Sequence, residues 1–317
     1  MKYRPLGSTG LLVSEVGFGA WQLGGEGWGR TDARETLDAV RAALDLGINL
    51  FDTAPVYGFG RSEELLGRAL GGAHVSIVSK CGLAWDERKR VTHDARPEVL
   101  RRGLDDSLRR LRREELDVLL LHWPDPAVPL RESLGALEAL RRKGKIRAWG
   151  LANFPANMVR SVDSIVSGGL RGEAGPVLEY PRNILRTYAD EYRESGAAGE
   201  ELLEVAAHAG WGFLAFDVLL RGLLGGRYTR ETRFGKRDLR SRDSRYEGEA
   251  FERCLCRAEK LSSAARALGV PPAALAISAI LRDPGVTSCL VGIRNPSQAK
   301  ECAEASRVAA GPLPDGL

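Results

Sequence analysis

Short apolar runs alternate with amphipathic stretches along almost the whole chain. Eight runs read as strands: Glu15–Phe18, Asn49–Asp52, Val75–Lys80, Asp117–His122, Ile146–Ala152, Pro176–Tyr180, Trp211–Phe216 and Thr287–Val291. After the first of them, Leu37, Val40, Ala43 and Leu44 share one face of a predicted helix over Ala33–Leu46, with Thr31 and Asp32 as capping candidates. Helices are also predicted over Glu63–Leu70, Pro97–Leu111, Leu130–Lys143, Ala156–Ser167 and Glu200–Ala209, and a short one from Pro296. Ahead of these, Tyr3–Leu6 and Leu11–Val13 flank a Gly7-Ser8-Thr9-Gly10 turn and predict a hairpin.

Alternation of this kind indicates a parallel α/β protein, and eight units favour a closed barrel over an open sheet. The expected fold is a (β/α)8 TIM barrel, one domain over residues 1–317, with an N-terminal β-hairpin and a long loop after strand seven. That loop, from Arg221 to about Tyr246, is rich in Gly, Arg and Asp. Loops of such length in a compact domain are as a rule functional or disordered.

A parallel barrel brings the carboxyl ends of its strands to one face. Asp52, Lys80 and His122 each close a predicted strand, and Tyr57 stands five positions after Asp52. An acid, a phenol, an amine and an imidazole on one rim form a proton-transfer device. A phenol titrates near pH 10, and an adjacent ammonium lowers that value. Tyr57 is therefore expected to donate a proton to a developing alkoxide, with Lys80 lowering its pKa and Asp52 anchoring Lys80. His122 would orient the carbonyl oxygen. These groups supply no electrons, so reduction requires a nicotinamide cofactor. The remaining histidines, His74, His93 and His208, read as lacking partners.

Composition narrows the picture. With 44% apolar and 28% charged residues the chain can bury a large core beneath a well-solvated surface. No apolar run reaches the roughly 18 residues of a membrane span, and Met1–Leu6 lacks the apolar run of a signal peptide. Five irregularly spaced cysteines read as reduced thiols in a cytoplasmic protein. Cys254 and Cys256 have no matching Cys/His pair, so no metal site is expected. Gly17-Phe18-Gly19 opens a dinucleotide fingerprint, but Gln22 occupies its sixth position and the acidic partner is missing, so a Rossmann reading fails. The net charge of +4 hides a concentration. Nine Lys/Arg face three Asp/Glu between Arg221 and Arg245, leaving the rest of the chain at about −2. One basic segment in a near-neutral protein indicates a single anionic partner rather than nucleic acid.

Taken together, Gly47–Ala54 with Tyr57-Gly58, Ser62–Gly67, Leu120–Pro126, Gly144–Phe154 and Arg221–Leu224 resemble the aldo-keto reductase superfamily, over nearly the whole chain. The resemblance implies NADP(H) bound extended across the carboxyl face of a (β/α)8 barrel, with NAD(H) as the alternative. It also implies reversible reduction of an aldehyde or ketone to an alcohol, with Asp52, Tyr57, Lys80 and His122 as the catalytic residues. Asn153 matches a residue that holds the nicotinamide carboxamide, beside Ala152 in place of a frequent Ser. Glu179 stands where Gln is usual; a carboxylate accepts from the amide NH2 but donates to its carbonyl only when protonated. Phe216 matches a ring stacked on the nicotinamide. The loop after it, with Leu219, Arg221, Gly222 and Arg227, would pass over the pyrophosphate, and Asp217 is expected to point away. Gly292, Arg294, Gln298 and Glu301 match an adenosine-binding segment, with Arg294 toward the 2′-phosphate and Cys302 in place of a frequent Asn. Trp21, Trp123 and Phe154 are expected to wall the substrate pocket. A small carbonyl or alcohol is the expected partner, with no nucleic acid and no membrane; the sequence is silent on oligomeric state. The alternative, motivated by Ala152, Glu179 and Cys302, is a non-catalytic NADP(H)-binding regulatory subunit resembling potassium-channel β-subunits.

Overall fold

The computed structural model describes residues 1–28, 32–166, 176–189 and 192–308. An antiparallel hairpin of β1 (Tyr3–Pro5) and β2 (Leu12–Ser14) precedes β3 (Val16–Gly19), β4 (Leu50–Asp52) and β5 (Ser76–Cys81). A short ribbon, β6 (Leu83–Trp85) and β7 (Val91–His93), interrupts the alternation. There follow β8 (Leu116–Leu121), β9 (Ile146–Ala152), β10 (Val177–Pro181), β11 (Gly212–Phe216) and β12 (Ser288–Gly292). Strands β3, β4, β5, β8, β9, β10, β11 and β12 pair in that order, and β12 returns to β3 to close a parallel barrel. The helices between them are α1 (Ala33–Asp45), α2 (Arg61–Leu70), α3 (Pro97–Leu111), α4 (Leu130–Arg142), α5 (Ala156–Ile165), α6 (Arg193–Ala209), α7 (Gly248–Ala267), α8 (Pro272–Leu281) and α9 (Pro296–Ala303).

Local chemistry sets several of these boundaries. Asp32 caps α1 by accepting from the Arg34 N–H at 2.7 Å. Thr31, the other capping candidate, and Ser167, the expected helix end, lie outside the described residues. Pro97 opens α3, which buries Leu100, Leu104, Leu108 and Leu111 along one stripe. Asn295 caps α9 by accepting from the Gln298 N–H at 2.9 Å.

Two apolar layers follow from strand alternation. Inside the barrel, Leu50, Val78, Val118, Leu120, Val177 and Leu214 pack together with Leu6, Leu11 and Val13, so the hairpin plugs the amino-terminal end. Outside it, Phe18, Phe51, Leu119, Trp149 and Phe213 pack against the helices, each fully buried large side chain contributing about 1.5–3 kcal/mol.

The long segment after β11 is not a bare loop. Leu220, Leu223 and Leu224 join Tyr246, Phe251, Leu255 and Leu275 in a second core that ties it to α7 and α8. The sequence marks only a helix-like stretch around Cys254–Cys256 within α7 and gives no sign of α8 or the β6–β7 ribbon, and α6 begins earlier than predicted. His93 lies on β7 with Nδ1 2.7 Å from the Pro124 carbonyl oxygen, correcting its reading as partnerless. Among the described residues no single helix is long and apolar enough to cross a membrane.

Strands β9 and β10 meet so closely at Gly150 that a Cβ there would lie 1.9 Å from the Val177 carbonyl oxygen. Gly150→Ala is expected to destabilise the protein by about 3 kcal/mol, seen as a lowered urea midpoint. An unchanged midpoint would contradict so tight a closure.

Candidate active site

The carboxyl ends of the barrel strands surround a cavity of about 330 Å³. Asp52 ends β4, and the turn beyond it carries Tyr57. Two contacts fix that turn. Gly58, at φ 65°, lies so near Gly24 that a Cβ would sit 2.3 Å from the Gly24 carbonyl oxygen. Ser62 donates to the Ala20 carbonyl at 2.8 Å and meets Thr53 Oγ1 at 2.9 Å. Buried Glu63 accepts from Ser79 Oγ and from Arg110, both at 2.7 Å. Ser62 and Glu63 therefore hold the loops that aim Tyr57.

Lys80, on β5, lies beneath the cavity with its side chain 1% exposed. Its ammonium donates to Asp52 Oδ2 at 2.5 Å and to the Thr53 carbonyl at 3.2 Å, and lies 3.3 Å from Glu179 Oε1. The same Nζ is 5.4 Å from the centre of the Tyr57 ring. His122 follows β8, its ring edge-on to Tyr57 at 5.9 Å. Asp52, Tyr57 and His122 line the cavity, so all four candidate groups converge.

Burial opposes the Lys80 charge, but Asp52 and Glu179 outweigh it and raise its pKa. Burial, reinforced by the Asp52 charge, pushes the Glu179 carboxyl up to about 8 in spite of Lys80. Burial raises Asp52 as well, against the pull of Lys80. Because the ammonium is nearer Asp52, Asp52 carries the charge and Glu179 holds the proton. Tyr57 departs from expectation. Burial raises its pKa, and Asp52 and Glu179 add to that, so the opposing effect of Lys80 does not prevail. In the fold Lys80 faces two carboxylates, Asp52 and Glu179, which with burial outweigh its pull on the phenol. His122 is held well below its usual range by burial and by Lys80 and His93, which keeps it neutral near pH 7.

The candidate cofactor residues line the same cavity. Asn153, at φ 62° beyond β9, donates to the His122 carbonyl at 3.0 Å, while its buried Oδ1 lacks a partner among the described residues. Glu179, opposite Ala152 in the β9–β10 register, has an equally unpartnered buried Oε2. Phe216, Leu219, Arg221, Gly222 and Arg227 continue the wall, followed by Gly292, Arg294, Gln298 and Glu301. Gln298 accepts from the Arg294 backbone N–H at 2.7 Å, and Arg227 pairs with Glu301 at 2.7 Å. Asp217 is engaged by Arg245 at 2.6 Å. Part of the basic segment is thus paired: Arg227 and Arg230 reach acids outside it, Glu301 and Glu259, and three more basic residues are held close by. A buried chain runs from Asp217 through Arg245 to Asp243 at 2.7 Å and on to Arg221 at 3.0 Å, and Arg240 pairs with Asp238 at 2.5 Å.

The substrate-pocket candidates separate. Trp21 lines the cavity, stacked on Tyr57 at 5.9 Å and met edge-on by Trp28 at 5.2 Å. Trp123 and Phe154 do not line it; they border a separate cavity of about 140 Å³. Phe154 is turned into the core, and Trp123 is screened by Tyr192, which stacks on it at 5.9 Å and faces the main cavity instead. Tyr192 went unnoticed in the sequence because no strand end marks it. Trp28, an aromatic the sequence leaves evenly between lining a cleft and ordinary loop packing, is on the wall, as are Tyr228 and Arg240, which the sequence marks only as loop residues.

Comparison with known proteins agrees with this geometry. The chain matches the Aldo/keto reductase family over residues 15–311. It is 32% identical to the aldo-keto reductase YhdN of Bacillus subtilis, over 96% of this chain and 88% of that protein. It is 28% identical to a probable voltage-gated potassium channel subunit beta of Oryza sativa subsp. japonica, over 95% of this chain and 90% of that one. Among solved structures, the glycerol dehydrogenase of Gluconobacter oxydans superposes with a TM-score of 0.83 at 34% identity, covering 96% of this chain and 90% of its own.

Asp243→Ala removes the carboxylate that Arg221 and Arg245 share. Leaving buried guanidinium charge uncompensated is expected to cost about 3–5 kcal/mol in urea unfolding. A loss of about 1 kcal/mol or less, the range of an exposed pair, would contradict a buried role.

Proposed function

This chain belongs to the aldo/keto reductase family and is an oxidoreductase, and we propose that it interconverts an aldehyde or ketone with the corresponding alcohol, using NADP(H). The observation that carries this reading is the convergence of Asp52, Lys80 and Glu179 beneath Tyr57 in a cavity walled by the candidate cofactor residues. Those residues fit a nicotinamide. Asn153 Oδ1, buried and unpartnered, suits an amide NH2. Glu179, with its raised pKa, supplies the donor that an ionised carboxylate lacks. When bound, the reduced nicotinamide supplies a hydride to the carbonyl carbon.

The protein's share is binding, orientation and one proton. Tyr57, kept protonated by burial, gives its proton to the carbonyl oxygen. Lys80 offsets the phenolate that this leaves, and Asp52 holds Lys80 in place. Neutral His122 donates a hydrogen bond that orients the oxygen. Phe216 would pack on the ring, Arg227 would serve the phosphates, and Arg294 would serve the 2′-phosphate. Trp21, Trp28 and Tyr192 offer flat apolar faces to the substrate. The likeness to a channel subunit is at lower identity and does not favour the regulatory reading over this one.

Incubation with NADPH and a panel of aldehydes should consume the absorbance of the reduced ring. Tight NADPH binding with no turnover on any carbonyl would refute the catalytic reading and favour the regulatory one. Tyr57→Phe is expected to keep its cofactor Kd and lose about 10²–10⁴ in kcat; an equal rate would remove Tyr57 from the mechanism. Arg294→Ala should weaken NADPH by about tenfold or more and leave NADH unaffected. Equal losses for both would take the 2′-phosphate away from Arg294.

A further inference from the structure

Lys80 is bracketed by two carboxylates, Asp52 at 2.5 Å and Glu179 at 3.3 Å, and the three side chains are only 1%, 6% and 5% exposed. Both acids ionised around one ammonium would leave net negative charge buried away from water, which is strongly unfavourable. A single proton removes it. The closer ion pair with Asp52 leaves that proton to Glu179. Glu179 also forms part of the cavity wall, and its Oε2 has no hydrogen-bond partner among the described residues.

Among the described residues, the groups around Glu179 leave it as the acid placed to titrate against the cavity. Asp52 and Lys80 face it from β4 and β5, and the Tyr57 phenol and the His122 imidazole stay uncharged near neutral pH. Farther along the wall, Asp217 is paired with Arg245, Glu301 with Arg227, Arg221 with Asp243 and Arg240 with Asp238. The Cys302 thiol, pushed up to about 12 by burial, stays protonated.

Building on the nicotinamide reading above, we propose that Glu179 follows the charge of the bound ring, keeping its proton beside the neutral reduced ring and releasing it beside the cationic oxidised one. The balance closes. A hydride leaves the ring and reduces the carbonyl carbon, and the Tyr57 O–H bond breaks as its proton passes to the carbonyl oxygen. Tyr57 is then reprotonated by one proton from solvent, and the Glu179 O–H bond breaks to release one proton to solvent. The bound reaction therefore takes no net proton from solvent. Glutamine at this position has no proton to give up and cannot do this.

The sign follows from linkage. Glu179 starts largely protonated near pH 7, because its pKa is raised to about 8. A cationic ring lowers that pKa, so oxidised cofactor binds more tightly as pH rises toward 8, by at most about tenfold per pH unit, and then levels off. Affinity for reduced cofactor stays nearly flat.

Titration calorimetry of the full-length protein with NADP+ and with NADPH, near pH 7 in buffers of different ionisation enthalpy, counts protons released on binding. Both forms carry the 2′-phosphate, so its protons cancel in the difference. Expected is an excess release with NADP+, a large fraction of one proton, that disappears in Glu179→Gln along with the pH dependence of the NADP+ Kd. Equal release for both forms in the unaltered protein overturns the proposal while leaving the nicotinamide reading intact. So does an excess that persists in Glu179→Gln. If neither form binds, the reading and the proposal fall together.

Discussion

A buried ammonium organises the carboxyl end of this barrel. Lys80 cannot be held away from water without partners, and β4 and β10 supply them from either side of it. Neither carboxylate is adjacent to Lys80 in sequence: the pairing of β4 with β5 brings Asp52 to its Nζ, and barrel closure brings Glu179. Removing one partner would strand a buried charge, which costs far more than an exposed pair contributes. Folding and the proposed chemistry thus share the same three side chains.

The consequences spread outward from that cluster. Burial, reinforced by the two acids that share one cation, keeps the Tyr57 phenol from being drawn toward ionisation. The cluster also leaves one titratable proton on Glu179, directly on the wall of the cavity. Around it, the Asp217–Arg245–Asp243–Arg221 chain plays the complementary part. It pairs the two buried guanidinium groups of the basic segment, Arg221 and Arg245, and lies where the backbone after β11 takes left-handed conformations at Leu220 and Arg221. Part of the charge that reads as an open anion site in the sequence is therefore scaffold, with Arg221, Arg227, Arg240 and Arg294 all on the cavity wall.

Much of this was legible in the chain. The barrel strands follow from apolar runs of strand length, and Ile146–Ala152 and Pro97–Leu111 have the predicted bounds. Asp52, Lys80 and His122 were readable because strand ends in a parallel barrel share one face. Tyr57 was readable from its spacing to Asp52. The approach of Glu179 to Lys80 was not, since it depends on barrel closure rather than on local pattern. The same holds for Asp243, whose partners come from distant positions in an irregular segment. Phe154 shows the opposite failure: an aromatic just beyond a strand end looked exposed to the cleft, yet Tyr180 donates to its carbonyl and its ring packs inward. The β6–β7 ribbon escaped notice because three-residue strands carry almost no periodic signal.

The most direct measurement follows the hydrogen itself. Reduced nicotinamide carrying deuterium at C4 is incubated with the protein and an accepted aldehyde, and the alcohol is analysed by mass spectrometry. If the cavity joins hydride transfer to proton donation from Tyr57, the deuterium arrives on the carbinol carbon undiluted by solvent, and only the hydroxyl proton exchanges. Deuterium washed out to solvent, or an alcohol formed at the same rate with Lys80→Met, would contradict a reaction organised around the buried ammonium.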